Sequence, residues 1–312
     1  MSTFPMMDHV ERYLALRRAM GFELRIAGKQ LMQFARFAQT SGAGQLTVDV
    51  AVAWATSACD AAPMTCARRI ELIRPFAKYL RQVDPATEVP GRGLFGRAHR
   101  RLTPHIYTMV EIEQLLTAAV RLSPTGGLRG IAYQTLFGLI AATGLRLGET
   151  VRLELDDVDL VNGTLTVRRT KFHKSRRLGL HRTTVEHLLR YVEQRSRCVC
   201  ASNRFFVGNR GTALNVGMVE HVFQTLRDEL GWKPRGEHPS VRIHDLRHTF
   251  ITRRLTDWQA NGASIDHATL ALSTYVGHAK VTDTYWYLTA IPELMQAASA
   301  RFQQPAQGDD HG

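Results

Sequence analysis

The stretch Ala141-Ala142-Thr143-Gly144-Leu145-Arg146-Leu147-Gly148-Glu149 decides how the rest of the chain is read. It closes an apolar segment, Leu128 to Ala142, of helical length and pattern. Gly144 supplies the stop, because glycine enters the left-handed conformation without a Cβ penalty. An arginine just past such a stop can point back over the domain surface, and its planar fork matches two non-bridging phosphate oxygens. Glu149 shares a helical face with Arg146 and can orient that fork. An exposed Arg–Glu pair with no further role has the same spacing.

Towards the C-terminus, three short strands are expected around Val158-Leu160, Thr164-Arg169 and Arg177-Leu180, with Asn162-Gly163 as a hairpin turn. Helical periodicity then returns over Thr183–Arg195, Val216–Leu230, His244–Trp258, Ala268–Val276 and Pro292–Phe302. Towards the N-terminus, Met109–Ala119 predicts a helix. Residues 85–104 hold Pro85, Pro90, Gly91, Gly93, Gly96 and Pro104 beside Arg92, Arg97, Arg100 and Arg101. That composition predicts an interdomain linker, either laid along a polyanion or a plain tether. Residues 1–84 read as four helices, the last (Thr65–Val83) carrying Arg68, Arg69, Arg74, Lys78 and Arg81. Such a basic face is either solvated or phosphate-contacting. The last ten residues predict a disordered tail, 303–312.

Length and charge bound the function. A chain of 312 residues suggests two domains. Forty Lys+Arg against 28 Asp+Glu leave a net charge of +12, which favours a polyanionic partner such as nucleic acid. No signal peptide or membrane span is read from the sequence, and the four cysteines lack a disulfide framework, so a reducing cytoplasm is expected.

Three further segments carry candidate chemistry. His244-Asp245-Leu246-Arg247-His248 puts two imidazoles and a guanidinium on one helix face. Histidines at this spacing suit zinc, but Asp245 stands where the metalloprotease pattern needs glutamate, and Arg247 would crowd a divalent ion. The competing reading has His244 and Arg247 gripping a phosphate, with His248 flanking. Lys171 lies in the hairpin tip Thr170-Lys171-Phe172-His173-Lys174-Ser175, where it can deliver a proton; Lys174 competes for the role. The third segment runs from Gly277-His278 to Tyr285-Trp286-Tyr287. Cations around a phosphate favour phenolate and stabilise a pentacoordinate transition state, and Tyr285 and Tyr287 cannot share a helix face.

Together these motifs resemble the tyrosine recombinase (phage integrase) family. The family pattern is Gly-Leu-Arg-x-x-Glu, a hairpin lysine, His-x-x-Arg, Gly-His, and a tyrosine nine residues past that histidine. Gly144 to Glu149, Lys171, His244 with Arg247, Gly277-His278 and Tyr287 match it in order. Phe172-His173 departs from the glycine frequent at the hairpin tip, and the Tyr-Trp-Tyr-Leu segment is similar to transposon-borne members.

The resemblance implies a mainly α fold with a small β-sheet, in two domains. These are an N-terminal helical core-binding (SAM-like) domain, 1–84, and a mixed α/β tyrosine recombinase catalytic domain, 105–302. It implies Arg146, Lys171, His244, Arg247, His278 and Tyr287 as catalytic residues, supported by Glu149 and His248. Arg68, Arg69, Arg100, Arg101, Lys174 and Arg176 are expected to contact DNA. The implied activity is DNA cleavage and rejoining through a 3′-phosphotyrosyl link, for integration, excision or transposition, with no metal or cofactor. Implied partners are double-stranded DNA, a homo-tetramer on paired sites assembled from monomers, and accessory recombinases. A prokaryotic, nucleoid-associated location follows from the same resemblance. A catalytically inactive DNA-binding regulator and a relaxing topoisomerase are the alternatives.

Overall fold

The computed structural model of the chain describes residues 6–57, 62–98, 101–168, 175–200 and 202–290. Lys171, Lys174, Arg100, the helix expected over 292–302 and the expected tail lie outside the described residues. The chain divides into two compact units, Met1–Arg101 and Leu102–Gly312.

The first unit holds α1 (Met6–Ala19), α2 (Arg25–Thr40), α3 (Val48–Thr56) and α4 (Pro63–Leu80). Their apolar stripes meet in a core of Val10, Leu14, Leu31, Phe34, Trp54, Ile70 and Phe76. Thr47 caps α3 by accepting from the Val50 N–H at 3.2 Å. Residues 85–98 of the segment expected to be a linker pack on this unit. Val89 and Phe95 pack against its core, and the Glu88 N–H donates to the Leu46 carbonyl at 2.9 Å. Arg74 donates to the Pro90 carbonyl, and Arg68 Nε to that of Ala98 at 3.0 Å. The prolines and glycines of this stretch rule out helix without ruling out packing, so the division falls at 101/102.

The second unit is built around α6 (Leu128–Thr143), which is buried on most sides and therefore apolar without a strong face. Packed with it are α5 (Met109–Val120), α8 (Arg182–Ser196) and α10 (His244–Ala260). Its other helices are α7 (Leu147–Thr150), α9 (Val216–Glu229), α11 (Ile265–Val276) and α12 (Thr282–Ala290). An antiparallel sheet of order β1 (Val158–Asp159), β2 (Thr164–Val167), β3 (Arg176–Gly179) lies beyond α7. Leu165, Val167 and Leu178 face the core from it. Helix α12 has no counterpart in the expectation from periodicity: its aromatic run Tyr285-Trp286-Tyr287 gives no clean 3.6 repeat.

Two glycines fix the ends of α6 and α11. Gly144 ends α6 at φ 65°, and a Cβ there would lie 2.5 Å from Phe250 Cδ1. Gly277 ends α11 at φ 69°, where a Cβ would lie 2.6 Å from Arg176 Nη1. Gly144→Ala is expected to lower stability by about 1–3 kcal/mol, from backbone strain plus overpacking. Gly148→Ala, whose nearest neighbours would be 4.0 Å away, should change it by less than about 0.5 kcal/mol. Thermal unfolding followed by circular dichroism checks the pair.

Candidate active site

Arg146 occupies the extended residue (φ −73°, ψ 144°) between the Gly144 stop and α7. Its Nη1 donates to Glu149 Oε1 at 2.9 Å, and its backbone N–H to Oε2 at 3.2 Å. Its Nη2 donates to the Gly277 carbonyl at 3.0 Å. Arg247, in the first turn of α10, is 2% exposed. It donates to the Gly144 carbonyl at 2.6 Å and the Val276 carbonyl at 2.8 Å. Arg176 on β3 donates through Nε to the Tyr275 carbonyl at 2.9 Å, and through both terminal nitrogens to Glu149 at 3.2 and 2.8 Å. Three guanidiniums from three parts of the chain therefore converge on residues 275–277, the end of α11.

Glu149 is the carboxylate in this cluster, and it is buried. Burial works to raise its pKa, but the hydrogen bonds and charge of Arg176, then the charge of Arg146, outweigh that and hold it below the usual carboxylate range. Arg247 is pushed down by burial and by Arg146; its two carbonyl acceptors favour the charged form.

The histidines stand beside these cations. His244 opens α10 with much of its surface exposed. Crowding of its ring by protein comes first, then Arg247, Arg242 and Arg146, and together they push its pKa down to about 4. Its ring meets His248 edge-on at 4.8 Å between centroids. Asp245, fully buried, does not face this cluster as a base; it holds Arg242 through Nη2 at 2.7 Å and through its backbone N–H at 2.9 Å. His278 follows Gly277, and its Nδ1 lies 2.7 Å from the Thr284 hydroxyl on α12.

Tyr287 is 3% exposed. Its hydroxyl lies 2.5 Å from His248 Nδ1, and its ring stands parallel to that of His278 with centroids 6.5 Å apart. Tyr285 points elsewhere: it is exposed and donates to Asp266 Oδ1 at 2.7 Å, a bond that raises its pKa. The structure thus brings Arg146, Glu149, His244, Arg247, His248, His278 and Tyr287 into one neighbourhood.

The residues expected to contact DNA have varied placements. Arg101 is exposed. Arg68 is exposed, with Nε on the Ala98 carbonyl. Arg69 turns inward, its Nη1 on the Trp54 carbonyl at 3.0 Å and its guanidinium 5.0 Å from the Trp54 ring centroid. Arg176 is committed to Glu149 and Tyr275 rather than to the surface. Sequence reasoning missed that clamp, because 27 residues and a hairpin separate Arg176 from Glu149. It also missed Arg242, whose i,i+3 spacing to Asp245 was a readable signal.

The fold and this site define a tyrosine recombinase. The family model described as Phage integrase family matches residues 107–293. The chain is 37% identical over 310 residues to y4rB, a protein of Sinorhizobium fredii named as an integrase/recombinase, with 97% of this chain and 98% of that one covered. It is 27% identical over 219 residues to the tyrosine recombinase XerC of Alcanivorax borkumensis, covering 69% and 68%. In fold it is similar to the Tn1549 transposon integrase, solved with transposon right end DNA, at a TM-score of 0.68 and 16% identity, covering 96% of this chain and 100% of that one. The XerH recombinase, solved on a difH substrate, gives 0.64 and 18%, covering 89% and 79%. The chain belongs to the phage integrase family, and it is a site-specific DNA recombinase of the tyrosine type.

The buried carboxylate generates a pH prediction. Because the folded pKa of Glu149 lies below its ordinary 4.5, the stability it contributes is present above pH 4.5 and is lost as pH falls through the folded value. Glu149→Gln should cost about 3–5 kcal/mol at neutral pH, by leaving two guanidiniums without their carboxylate. The gap between wild type and variant should narrow below pH 4.5, as read from urea unfolding across pH.

Proposed function

We propose that Arg146, Arg247, His244 and His278 hold the scissile phosphate of duplex DNA while Tyr287 attacks it. The observation that carries this reading is the charge balance at the end of α11. Among the described residues there, Arg146, Arg176 and Arg247 contribute three positive charges and Glu149 one negative, 3 − 1 = 2 in excess. A phosphodiester brings one negative charge and its pentacoordinate transition state two, so the excess is matched best at the transition state, which is the condition for catalysis.

In the proposed step, the Tyr287 oxygen bonds to phosphorus and the bond to the 5′-oxygen breaks. This leaves a 3′-phosphotyrosyl link and a 5′-hydroxyl. Lys171, in the hairpin between β2 and β3, is the candidate that gives this hydroxyl its proton. A 5′-hydroxyl from a second duplex then attacks the phosphotyrosyl bond and releases Tyr287. The phosphoester energy is retained in the covalent link, so the exchange needs no external energy source. Each of the four strands exchanged between two duplexes needs one tyrosine, which supports four copies of the chain on paired sites. No helix among the described residues is long and apolar enough to cross a membrane, and the +12 charge favours the DNA partner.

The test uses nicked suicide duplexes tiled from the DNA that flanks this gene, in which the short fragment bearing the freed 5′-hydroxyl dissociates and the adduct accumulates. Wild type should give a protein–DNA adduct that survives denaturant, with DNA mapping to the peptide bearing Tyr287. Tyr287→Phe should abolish the adduct, and Tyr285→Phe should keep it within about threefold, the range expected for a residue outside the chemistry. An adduct that persists in Tyr287→Phe would sink the assignment.

A further inference from the structure

Phenols are poor nucleophiles at neutral pH, because a free tyrosine titrates near 10. A group that takes the Tyr287 proton as the new bond forms would remove that obstacle. The candidate must reach the phenol oxygen itself and must arrive unprotonated. His248 meets both conditions. Its Nδ1 lies 2.5 Å from the Tyr287 oxygen. It sits one residue past Arg247 on α10, so the helix that fixes the phosphate-binding guanidinium fixes this imidazole too. His278 is turned to Thr284 through Nδ1, and His244 meets the His248 ring edge-on.

The groups that weigh most on His248 are neutral or cationic, with the carboxylate of Asp245 paired to one of them, Arg242. They are His244 and Arg247 on α10, Arg242 and His238 in the segment before it, and Tyr287 on α12. Burial first, then these charges, lower the His248 pKa well below the ordinary imidazole value. A neutral ring is thereby favoured, and the tautomer with its proton on Nε2 leaves Nδ1 to accept from the phenol.

We propose that His248 is a catalytic residue, the base that takes the Tyr287 proton during strand cleavage and returns it during rejoining. This rests on the reading of Tyr287 as the nucleophile. In cleavage, the O–H bond of Tyr287 breaks to Nδ1 as its oxygen bonds to phosphorus, giving a His248 imidazolium and a phosphotyrosyl ester. The 5′-oxygen leaves and is protonated elsewhere, at the opposite side of the phosphorus. In rejoining, Tyr287 departs and recovers the proton from His248, so the imidazole ends each cycle neutral.

The same surroundings make the base conditional on substrate. With the site empty, an imidazolium at 248 would be buried among Arg242, Arg247 and His244, and the proton stays on the phenol. A bound phosphate places negative charge against those cations, which favours the imidazolium and lets the proton move. Cleavage chemistry at Tyr287 is thereby coupled to occupation of the phosphate site.

The experiment measures adduct formation on whichever flanking-DNA suicide duplex reacts with wild type. It compares wild type with His248→Asn, whose Oδ1 can occupy the Nδ1 position as acceptor but takes no proton. The variant should cleave at least about 10²-fold more slowly, the usual size of a general-base contribution. Incorporating 3-fluorotyrosine in place of Tyr287, a more acidic phenol, should recover most of that loss. A 5′-bridging phosphorothiolate, whose thiolate leaves without a proton, should not recover it. Wild-type rates in His248→Asn would overturn the proposal, and so would rescue by the phosphorothiolate, which would put His248 on the leaving-group side.

If His248→Asn does not fold, 3-fluorotyrosine is placed at 287 in the otherwise unaltered protein. The acidic limb of its pH–rate profile, which the base sets, should stay in place, and a limb that moves down with the more acidic phenol would show ionisation without a base and overturn the proposal. An adduct from wild type but no dependence on residue 248 defeats this inference alone. No adduct from wild type on any duplex defeats the reading it rests on as well.

Discussion

Three guanidiniums packed around one carboxylate are an expensive arrangement, and the termini of two helices make it tolerable. The last carbonyls of a helix have no partner within it and carry the negative end of its dipole. At the end of α6 the Gly144 carbonyl accepts from Arg247; at the end of α11 the Tyr275, Val276 and Gly277 carbonyls accept from Arg176, Arg247 and Arg146. The cations are thus held mainly by partial charges, with Glu149 as the full counter-charge. Holding them with further carboxylates would have been more stable and would have left nothing for a phosphate to satisfy. The left-handed glycines at 144 and 277 follow from the same constraint, since each turns the chain away while exposing the carbonyl that an arginine takes.

The histidines add a second layer. His244 and His248 lie in a field already positive, and both are held below the ordinary imidazole range. The permanent charge of the site therefore comes from guanidiniums, which do not titrate near neutrality. The imidazoles serve as neutral donors and acceptors until an anion arrives. On the proposed reading, that division would let one small pocket bind a phosphate and still keep a proton acceptor beside the Tyr287 oxygen.

Much of this was legible in the chain. The glycine stop after an apolar helix, the arginine beyond it and Glu149 at i+3 gave the first corner from local rules alone. The His-x-x-Arg spacing gave α10 and its face. The choice of Tyr287 over Tyr285 came from family spacing; the hydrogen bonds of the two phenols differ, one inward to His248 and one outward to Asp266. The position of Arg176 was not legible. A basic residue on a short edge strand looks like a surface residue, and only the tertiary approach of β3 to α7 and α11 turns it inward. Arg69 misled for the same reason: charge density on α4 suggested one exposed face, whereas its guanidinium packs on Trp54. Residues 85–104 read as linker because proline and glycine report the absence of regular structure, which is a weaker statement than the absence of the packing seen over 85–98.

The placement of Tyr287, the proposed nucleophile, shows why a tyrosine suits this architecture. Its ring belongs to a small apolar cluster with Phe250, Ile251, Leu255, Leu272 and Val276, so burial of carbon fixes the side chain. Its oxygen, at the far end of a rigid ring, reaches polar partners that the helix backbone could not approach. A serine or threonine oxygen would sit close to the α12 backbone and would need that helix moved several ångströms to meet the same imidazole. The phenol separates the two requirements: packing sets where the oxygen is, and hydrogen bonding sets when it is reactive. The neighbouring tether from His278 to Thr284 ties α12 to the turn that carries the guanidinium acceptors. On the proposed reading, displacement of that turn by an entering phosphate would be passed to the helix bearing Tyr287 through one hydrogen bond, to the buried Thr284, and through the five intervening residues, 279 to 283.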